Sequence, residues 1–524
     1  MLCYNKVNSI LCLSNSTKGE LIMKKLLTLL LLSAMLLSTF AACGESETNA
    51  GADAGTAGSE VTSAEDGEAA AEETEYVETL DAEVKDYGGR TINIVLAGNW
   101  SFTDFIAEEM TGEAVNDAKY TTNAAVGELY NIEIAVNNQS GQASGGTGAG
   151  YKLIDNMVMA GTNDYDIADI GCYDVSTLAY GGKLLDLNAV KNIDLTKSWW
   201  DPKANEHLSV AGKMFYSTGD AGVLDNDCTY CILFNKQMIT NFNLDNPYDL
   251  VRENKWTYDK FVEMANTGFV DMNGNGTTDA EDSIGLIMWQ DSVIGMLHAS
   301  SGKFATINTD GLIEMTLNSE RNFDVLTSWL TLKTQPLVGF IGSGATIQEA
   351  DLHTMFTDQR AVFYCRYVKA VSWFRDMDTD FGILPYPKWD ETQKDFCNTM
   401  HAYGTSYFCI PTTVADADMS GAILESLSYY GKENITPAYY DTTLKGKYFR
   451  DEESSEMLDL IFASRFFDVG TYYQLGGYNE KVITMMQQGD TDFASMYTKN
   501  EKVANKILSK INDAYAAMLA GETP

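Results

Sequence analysis

Strand-type and helix-type hydrophobic patterns alternate along the chain from about residue 88. Thr91–Ala97, Ile132–Val136 and Tyr165–Ile170 are runs rich in β-branched residues, of the length of a buried strand. Ala114–Tyr130 and Tyr151–Ala160, which separate these runs, space their apolar residues as a helix packed on a sheet does. Because such alternation is typical of strand–helix–strand units, the pattern predicts an α/β fold built on parallel sheet.

The length and charge of the chain narrow its function. About 440 of the 524 residues remain for folded structure once the N-terminal segments described below are set aside. A single hydrophobic core rarely includes so many residues, so we expect two lobes. The formal net charge of -38 excludes nucleic acid as a partner, because the phosphates would be repelled.

An export signal precedes the folded part. In Met23–Cys43, two lysines are followed by an apolar run of about a dozen residues and then by Phe40-Ala41-Ala42-Cys43. The run is too short for a membrane span, which needs about 20 apolar residues, and has the layout of a secretory signal. Its end resembles a bacterial lipobox. That resemblance implies lipidation of Cys43 and a protein tethered to the extracellular face of the cell membrane, since two or more acyl chains anchor stably.

The segments on either side of this signal are not expected to be part of the folded body. We interpret residues 1–22 as a mis-assigned start, with translation beginning at Met23. Residues 44–86 contain fourteen acidic residues against Lys85 alone. Such a stretch cannot bury enough apolar surface to order itself, so we expect a disordered, extended linker.

Several short motifs follow one another in a recognisable order. They are Gly212-Lys-Met-Phe-Tyr216, Leu233-Phe-Asn-Lys236, Lys255-Trp-Thr-Tyr-Asp-Lys-Phe261 and Phe381-Gly-Ile-Leu-Pro-Tyr-Pro387. Together they resemble the extracellular solute-binding proteins of ABC importers (family 1), in the branch that contains the maltose-binding proteins. The resemblance covers roughly residues 88–519.

This resemblance implies a two-lobe periplasmic-binding-protein-like fold of type II, with hinge strands between the lobes and a helical C-terminal segment. Lobe one would comprise residues 87–226 and 405–440, and lobe two residues 227–404 and 441–524. The chain would cross between the lobes near Asp225–Tyr230 and return near His401–Ser406. A monomer of this fold would bind a solute between its lobes by hinge closure and deliver it to an ABC permease.

The ligand is expected at the carboxyl ends of the strands, where open α/β sheets bind their ligands. Aromatic side chains beside amides, carboxylates and arginine suit a sugar, because the rings cover its C–H face and the polar groups bind its hydroxyls. Tyr472 and Tyr473 are included because the maltose-binding branch places stacking aromatics in its helical tail. The predicted ligand-binding residues are Asn99, Trp100, Tyr173, Asp174, Asp220, Trp289, Gln290, Arg366, Tyr367, Tyr472 and Tyr473. Trp199-Trp200 and Trp373-Phe374 are expected to pack inside.

Residues 271–282 form the sharpest local motif. Oxygen-bearing side chains stand at positions 1, 3, 5, 9 and 12 of a twelve-residue loop, with Gly276 at position six. This spacing can wrap oxygen ligands around Ca²⁺, and aspartate at the last position resembles dockerin-type loops. The predicted ligands of a structural calcium ion are Asp271, Asn273, Asn275, Thr277 (through its carbonyl), Asp279 and Asp282.

Catalytic motifs are not evident in the sequence. The four histidines are scattered, no His-Glu-x-x-His or nucleophile-elbow motif occurs, and no pair of carboxylates stands out. We therefore predict a binding protein without a catalytic cofactor, and a carbohydrate, in particular an oligosaccharide, as its solute. Three alternatives stay open: a binding protein for a peptide, amino acid or polyamine, a sensory ligand-binding protein, and a surface glycan-active enzyme.

Overall fold

The computed structural model of the chain describes residues 78–98, 104–139, 141, 144–448 and 451–521. The predicted signal, Cys43, most of the linker, Asn99 and Trp100 lie outside these residues. Within the described ranges, no helix is both long enough and apolar enough to cross a membrane.

The strands and helices of the described residues alternate through most of the chain. The strands are β1 Arg90–Ala97, β2 Ile132–Gln139, β3 Ile167–Gly171, β4 Tyr230–Asn235, β5 Ile284–Trp289, β6 Ala305–Ile307, β7 Ile313–Met315, β8 Val338–Ile341, β9 Ala361–Tyr367, β10 Phe381–Leu384, β11 Asn398–Thr399, β12 Ser406–Cys409 and β13 Arg465–Phe466. The α-helices are α1 Ala114–Tyr130, α2 Ala149–Ala160, α3 Cys172–Tyr180, α4 Pro202–Leu208, α5 Leu224–Asp227, α6 Lys236–Asn241, α7 Pro247–Arg252, α8 Tyr258–Thr267, α9 Ser292–Ala299, α10 Glu320–Lys333, α11 Glu349–Thr357, α12 Ala417–Pro437, α13 Glu452–Ala463, α14 Val469–Tyr472, α15 Tyr478–Gln488 and α16 Phe493–Leu519.

Lobe one is built on a four-stranded sheet in the order β12-β3-β1-β2. β1 runs parallel to β2 and β3, and β12 is antiparallel to β3. Helix α1 begins where the Glu113 side chain accepts a hydrogen bond from the Asn116 amide, and it ends at Asn131 in the left-handed conformation. The parallel strands and this helix occur where the hydrophobic patterns predict them.

Lobe two is built on a five-stranded sheet in the order β10-β4-β9-β5-β8. β5 is parallel to both β8 and β9, whereas β4 is antiparallel to β9 and β10. Trp256 and Trp329 are fully buried beneath this sheet and both pack on Phe261, so large aromatic side chains form much of the core.

The lobes are joined where the sequence predicts the crossings, with a further strand beside them. Thr229 and Met400 form an antiparallel bridge, and the His401 amide donates to the Cys228 carbonyl at 2.9 Å. β13, which the sequence did not indicate, pairs in parallel with β11 next to this bridge. Adjacent extended segments of this kind form a hinge about which two lobes can rotate.

The C-terminal segment, which the sequence assigns to lobe two from residue 441 onward, packs on the cores of both lobes. Phe467, Tyr472, Tyr473 and Leu475 are buried in the same core cluster as Tyr407 of lobe one. Helix α16 places Phe493, Tyr497 and Ala504 in the core of lobe two, and Ile511 and Tyr515 in the core of lobe one. A helix of 27 residues is about 40 Å long, which is long enough to reach both cores.

Trp199 and Trp200 are buried in lobe one, as the sequence predicts, and one carboxylate binds both. The Glu425 side chain, 2% exposed, accepts from the Trp199 indole N–H at 3.0 Å, the Trp200 indole N–H at 2.9 Å and the Asp194 amide at 3.3 Å. Burial nevertheless raises the pKa of Glu425 from 4.5 to about 7.

The raised pKa of Glu425 predicts a loss of stability as the pH rises. Because the folded state holds the proton more tightly than the unfolded state, its contribution is present below pH 4.5 and is lost as the pH rises through about 7. A shift of this size corresponds to about 3 kcal/mol. Urea unfolding between pH 4.5 and 8 should show a steeper decline for the wild type than for Glu425→Gln; equal slopes would contradict the assignment.

Candidate functional site

A cavity of about 530 Å³ lies between the lobes beside the hinge. Five of the predicted ligand-binding residues line it: Tyr173, Trp289, Gln290, Arg366 and Tyr367. The hinge segment of residues 401–404 and helix α15 complete its wall.

The lobe-two wall of the cavity is formed by two neighbouring strands at the point where they end. Trp289 is the last residue of β5 and Tyr367 the last of β9, and these strands are parallel. The rings of Trp289 and Tyr367 meet edge to face with centroids 5.6 Å apart. Strand ends at one edge of a sheet therefore bring together aromatic residues that are 78 positions apart in the chain.

Arg366 is surrounded by aromatic rings on this wall. The central carbon of its guanidinium lies 3.9 Å from the Trp289 ring centroid, 5.1 Å from that of Tyr367 and 5.4 Å from that of Trp373. These are cation–π distances, and they hold in place a side chain that is only 8% exposed. Trp373, which the sequence predicts to be inside, is 39% exposed beside Arg366, so it is available to a bound molecule.

A histidine–aspartate pair, which the sequence did not indicate, joins the hinge to lobe two inside the cavity. His401 Nε2 and Asp291 Oδ2 are 2.9 Å apart, and the Tyr230 hydroxyl donates to the Asp291 backbone carbonyl at 3.1 Å. His401 also packs on the Trp289 ring, with centroids 4.5 Å apart. The predicted return crossing near His401 indicated that this residue could lie at the cleft. Nothing in the sequence connected His401 with Asp291.

Helix α15 supplies further polar groups. Gln487 Nε2 donates to Gln290 Oε1 at 2.7 Å, which links α15 to the end of β5. Asn479 Nδ2 donates to the Tyr173 hydroxyl at 3.1 Å. Burial, and then the nearby Asp291 charge, raise the pKa of Glu480, which lines the same cavity. This wall offers donors and acceptors suited to hydroxyl groups.

A second cavity of about 440 Å³ adjoins the first at Lys369, which lines both. Lys369 Nζ lies 3.3 Å from Asp227 Oδ2, and the Tyr439 hydroxyl donates to Asp227 Oδ1 at 2.9 Å. Tyr439 belongs to a π-helical segment, Ala438–Tyr448, that follows α12. Lys369 and its partner Asp227 therefore lie where the two cavities come together.

Four predicted residues lie away from the main cavity. Asp174 is fully buried and accepts from the amides of Ser144 at 2.8 Å and Tyr151 at 3.1 Å, so it holds the loop before α2. Asp220 accepts from the Thr436 hydroxyl at 2.7 Å in a separate cavity, and burial raises its pKa to about 6. Tyr472 and Tyr473 are core residues of lobe one.

The hydroxyls of these two tyrosines explain their inward position. The Tyr407 hydroxyl donates to that of Tyr472 at 2.7 Å, and the hydroxyl of Tyr473 is hydrogen-bonded to that of Tyr515. Because each buried hydroxyl has found a partner, burial of the ring costs little.

The loop of residues 271–282 lies apart from the cavity. Asp271 accepts from the amides of Gly274 at 2.7 Å and Gly276 at 2.9 Å, and Asp282, which is fully buried, accepts from those of Met272 and Asp279. Among the residues that the structure describes, no three His, Cys, Asp or Glu side chains are grouped to hold a metal. The calcium prediction therefore stays a prediction.

The fold resembles solved structures of low sequence identity. An ABC transporter solute-binding protein from Thermotoga lettingae, bound with α-D-tagatose, aligns with a TM-score of 0.50 at 16% identity over 80% of this chain and 100% of its own. The GacH receptor of Streptomyces glaucescens, solved unliganded and with acarbose, aligns with a TM-score of 0.50 at 12% identity, over 83% of this chain and 100% of its own. UspC of M. tuberculosis aligns with a TM-score of 0.51 at 12% identity, over 81% of this chain and 100% of its own.

These structural likenesses confirm the predicted α/β fold with two lobes, the fold of ABC-transporter solute-binding proteins. No protein-family model matches the chain, and no curated protein does.

Proposed function

We propose that the chain is the solute-binding receptor of an ABC importer and that it captures a carbohydrate between its lobes. The observation that carries this proposal is the interlobe cavity, where Tyr173, Trp289 and Tyr367 stand beside Gln290, Gln487 and Asp291. Aromatic faces cover the C–H surface of a sugar ring, and amides and carboxylates bind its hydroxyls. Two of the structural neighbours hold tagatose and acarbose in folds of this kind, which supports the same class of solute here.

The setting of the receptor follows from the N-terminal sequence. A lipid on Cys43 would tether a monomer to the extracellular face of the cell membrane, and residues 44–77 would give it reach toward a permease. The closed form of the lobes, favoured by bound solute, would be the one that the permease receives.

Thermal unfolding with a panel of mono- and oligosaccharides, amino acids, peptides and polyamines tests the proposal. A sugar at 1,000 times its dissociation constant should stabilise the chain by about 4 kcal/mol and raise its Tm by a few degrees. Trp289→Ala should abolish the rise, whereas Tyr120→Ala, an exposed aromatic residue on α1, should leave it intact. A rise with polyamines or peptides alone would replace the carbohydrate, and turnover of a glycan would make the chain an enzyme.

For the loop of residues 271–282 we propose calcium binding as a structural role apart from the cleft. Its support is the oxygen-ligand spacing together with Gly276 at φ +77°, a conformation that favours glycine. Calcium should raise the Tm relative to a chelator, and Asp271→Ala should remove that difference. Equal Tm values in calcium and in chelator for the wild type would contradict it.

A further inference from the structure

Arg366 is a buried cation with two guanidinium nitrogens that lack a hydrogen-bond partner in the described part of the chain, although its side chain also interacts with the Tyr367 hydroxyl. Its Nε and Nη1 atoms are buried and have no hydrogen-bond partner within the described residues. Its Nη2 lies 3.8 Å from Glu349 Oε1, which is beyond hydrogen-bonding distance. Glu349 is half exposed and also lies 3.7 Å from His353 Nε2, so this carboxylate is shared and screened by solvent.

A guanidinium in this condition is poised for an oxyanion. Buried donors without partners are costly, and native structures rarely keep them without a reason. The planar fork of an arginine matches the two oxygens of a carboxylate or sulfate, and such charge-assisted pairs are the strongest hydrogen bonds in proteins. The Trp289 ring, 3.9 Å from the central carbon of the guanidinium, already holds this group at the cavity wall.

The other charged groups of the cavity are engaged with one another or suit hydroxyl groups. Lys369 is paired with Asp227 at 3.3 Å, and Asp291 with His401 at 2.9 Å. Glu480 lies on α15, the helix that also carries Gln487, and its carboxyl is a natural partner for a sugar hydroxyl. Arg366 is thus the charged group of this wall with the greatest need for an external partner.

We propose that the solute is an acidic carbohydrate, whose carboxylate or sulfate binds the Arg366 guanidinium while its hydroxyls bind the amides and carboxylates across the cavity. The inference rests on the proposed function, because it names the class of sugar that the same cleft takes.

Matched ligands that differ only in charge provide the test. Calorimetry with the full chain would compare uronic-acid oligosaccharides (galacturonate, glucuronate and mannuronate) with their methyl esters, and a sulfated oligosaccharide with its unsulfated parent. The acid form should bind about 10- to 100-fold more tightly than the neutral form, the range of one charge-assisted pair. The carboxylated and sulfated arms decide which oxyanion is the natural one.

Variants separate charge recognition from packing. Arg366→Gln should reduce binding of the acid to the level of its ester, and Arg366→Lys, which keeps the charge without the fork, should lie between. Arg375→Gln changes an arginine whose side chain is 59% exposed and should affect neither ligand. Should Arg366→Gln fail to fold, the comparison of acid with ester in the wild type and in Arg366→Lys still shows whether the charge of the ligand is recognised.

The two levels of the proposal fail differently. Equal binding of acid and ester by the wild type, or equal weakening of both by Arg366→Gln, would overturn the acidic sugar and leave a carbohydrate receptor. Binding of neutral sugars alone would do the same. Failure of every carbohydrate in the panel to bind would overturn the carbohydrate as the solute and the acidic sugar together.

Discussion

Replacing Arg465 with methionine should lower the free energy of unfolding by about 3–5 kcal/mol, because it leaves buried carboxylates unpaired. Arg465 stands in β13, between the lobes, and its Nη2 lies 3.0 Å from Asp201 Oδ2 while its Nη1 lies 3.2 Å from Asp225 Oδ2. Both aspartates are 6% exposed or less. Burial, with the neighbouring Asp201 and Asp104 charges, raises the pKa of Asp225 to about 7 against the opposing pull of the Arg465 charge.

The matched control is Arg252→Met. Arg252 contacts three acidic residues, Asp249, Glu453 and Glu456, against the two of Arg465, but its side chain is 37% exposed. Because solvent screens such pairs, this substitution should leave stability almost unchanged. Chemical unfolding of both variants, followed by tryptophan fluorescence, decides. Similar losses for the two would show that burial of the Arg465 cluster is not what makes it important.

Gly285→Ala should cost about 3 kcal/mol through overpacking in the core of lobe two. Gly285 lies in β5, and a β-carbon there would overlap the backbone carbonyl of Ala265 in α8. Neither the strand nor the helix backbone can move without disturbing the sheet that ends at Trp289. A loss of ligand affinity together with stability is therefore expected for this variant.

Gly127→Ala provides the comparison. A β-carbon at Gly127 would lie 3.2 Å from the Ile132 carbonyl oxygen, a tight but tolerable contact, and alanine is the better helix former. The stability should change by less than about 1 kcal/mol, and urea midpoints measure both variants. A loss as large as that of Gly285→Ala would contradict the argument from backbone overlap.

The features that the sequence predicted correctly are those encoded locally. The parallel strands of lobe one and helix α1 follow from hydrophobic periodicity. The crossings near Asp225–Tyr230 and His401–Ser406 came from the family resemblance, and the Thr229–Met400 bridge lies beside them. Strand ends brought Trp289, Arg366 and Tyr367 into one wall because parallel strands end at one edge.

The features that the sequence did not predict depend on distant packing. Asp174 follows a strand as a ligand-binding residue would, yet it turns inward because the loop before α2 needs its oxygens, and a β-carbon at Gly148 would overlap them. The inward tyrosines of the tail and the pairing of His401 with Asp291 likewise depend on partners scores of residues away. Hydrophobic periodicity carries no information about such partners.

The long helix α16 limits how far the cleft between the lobes can open. Its first turns are embedded in one core through Phe493 and Tyr497 and its last turns in the other through Ile511 and Tyr515. An α-helix resists bending, so the lobes can rotate relative to each other about an axis close to that of α16. A large opening of the cleft would instead require one end of the helix to leave the core in which it is buried. Solute should thus enter and leave through a narrow opening produced by this rotation. A chain truncated before Ile511 should therefore show higher rates of both ligand association and ligand dissociation.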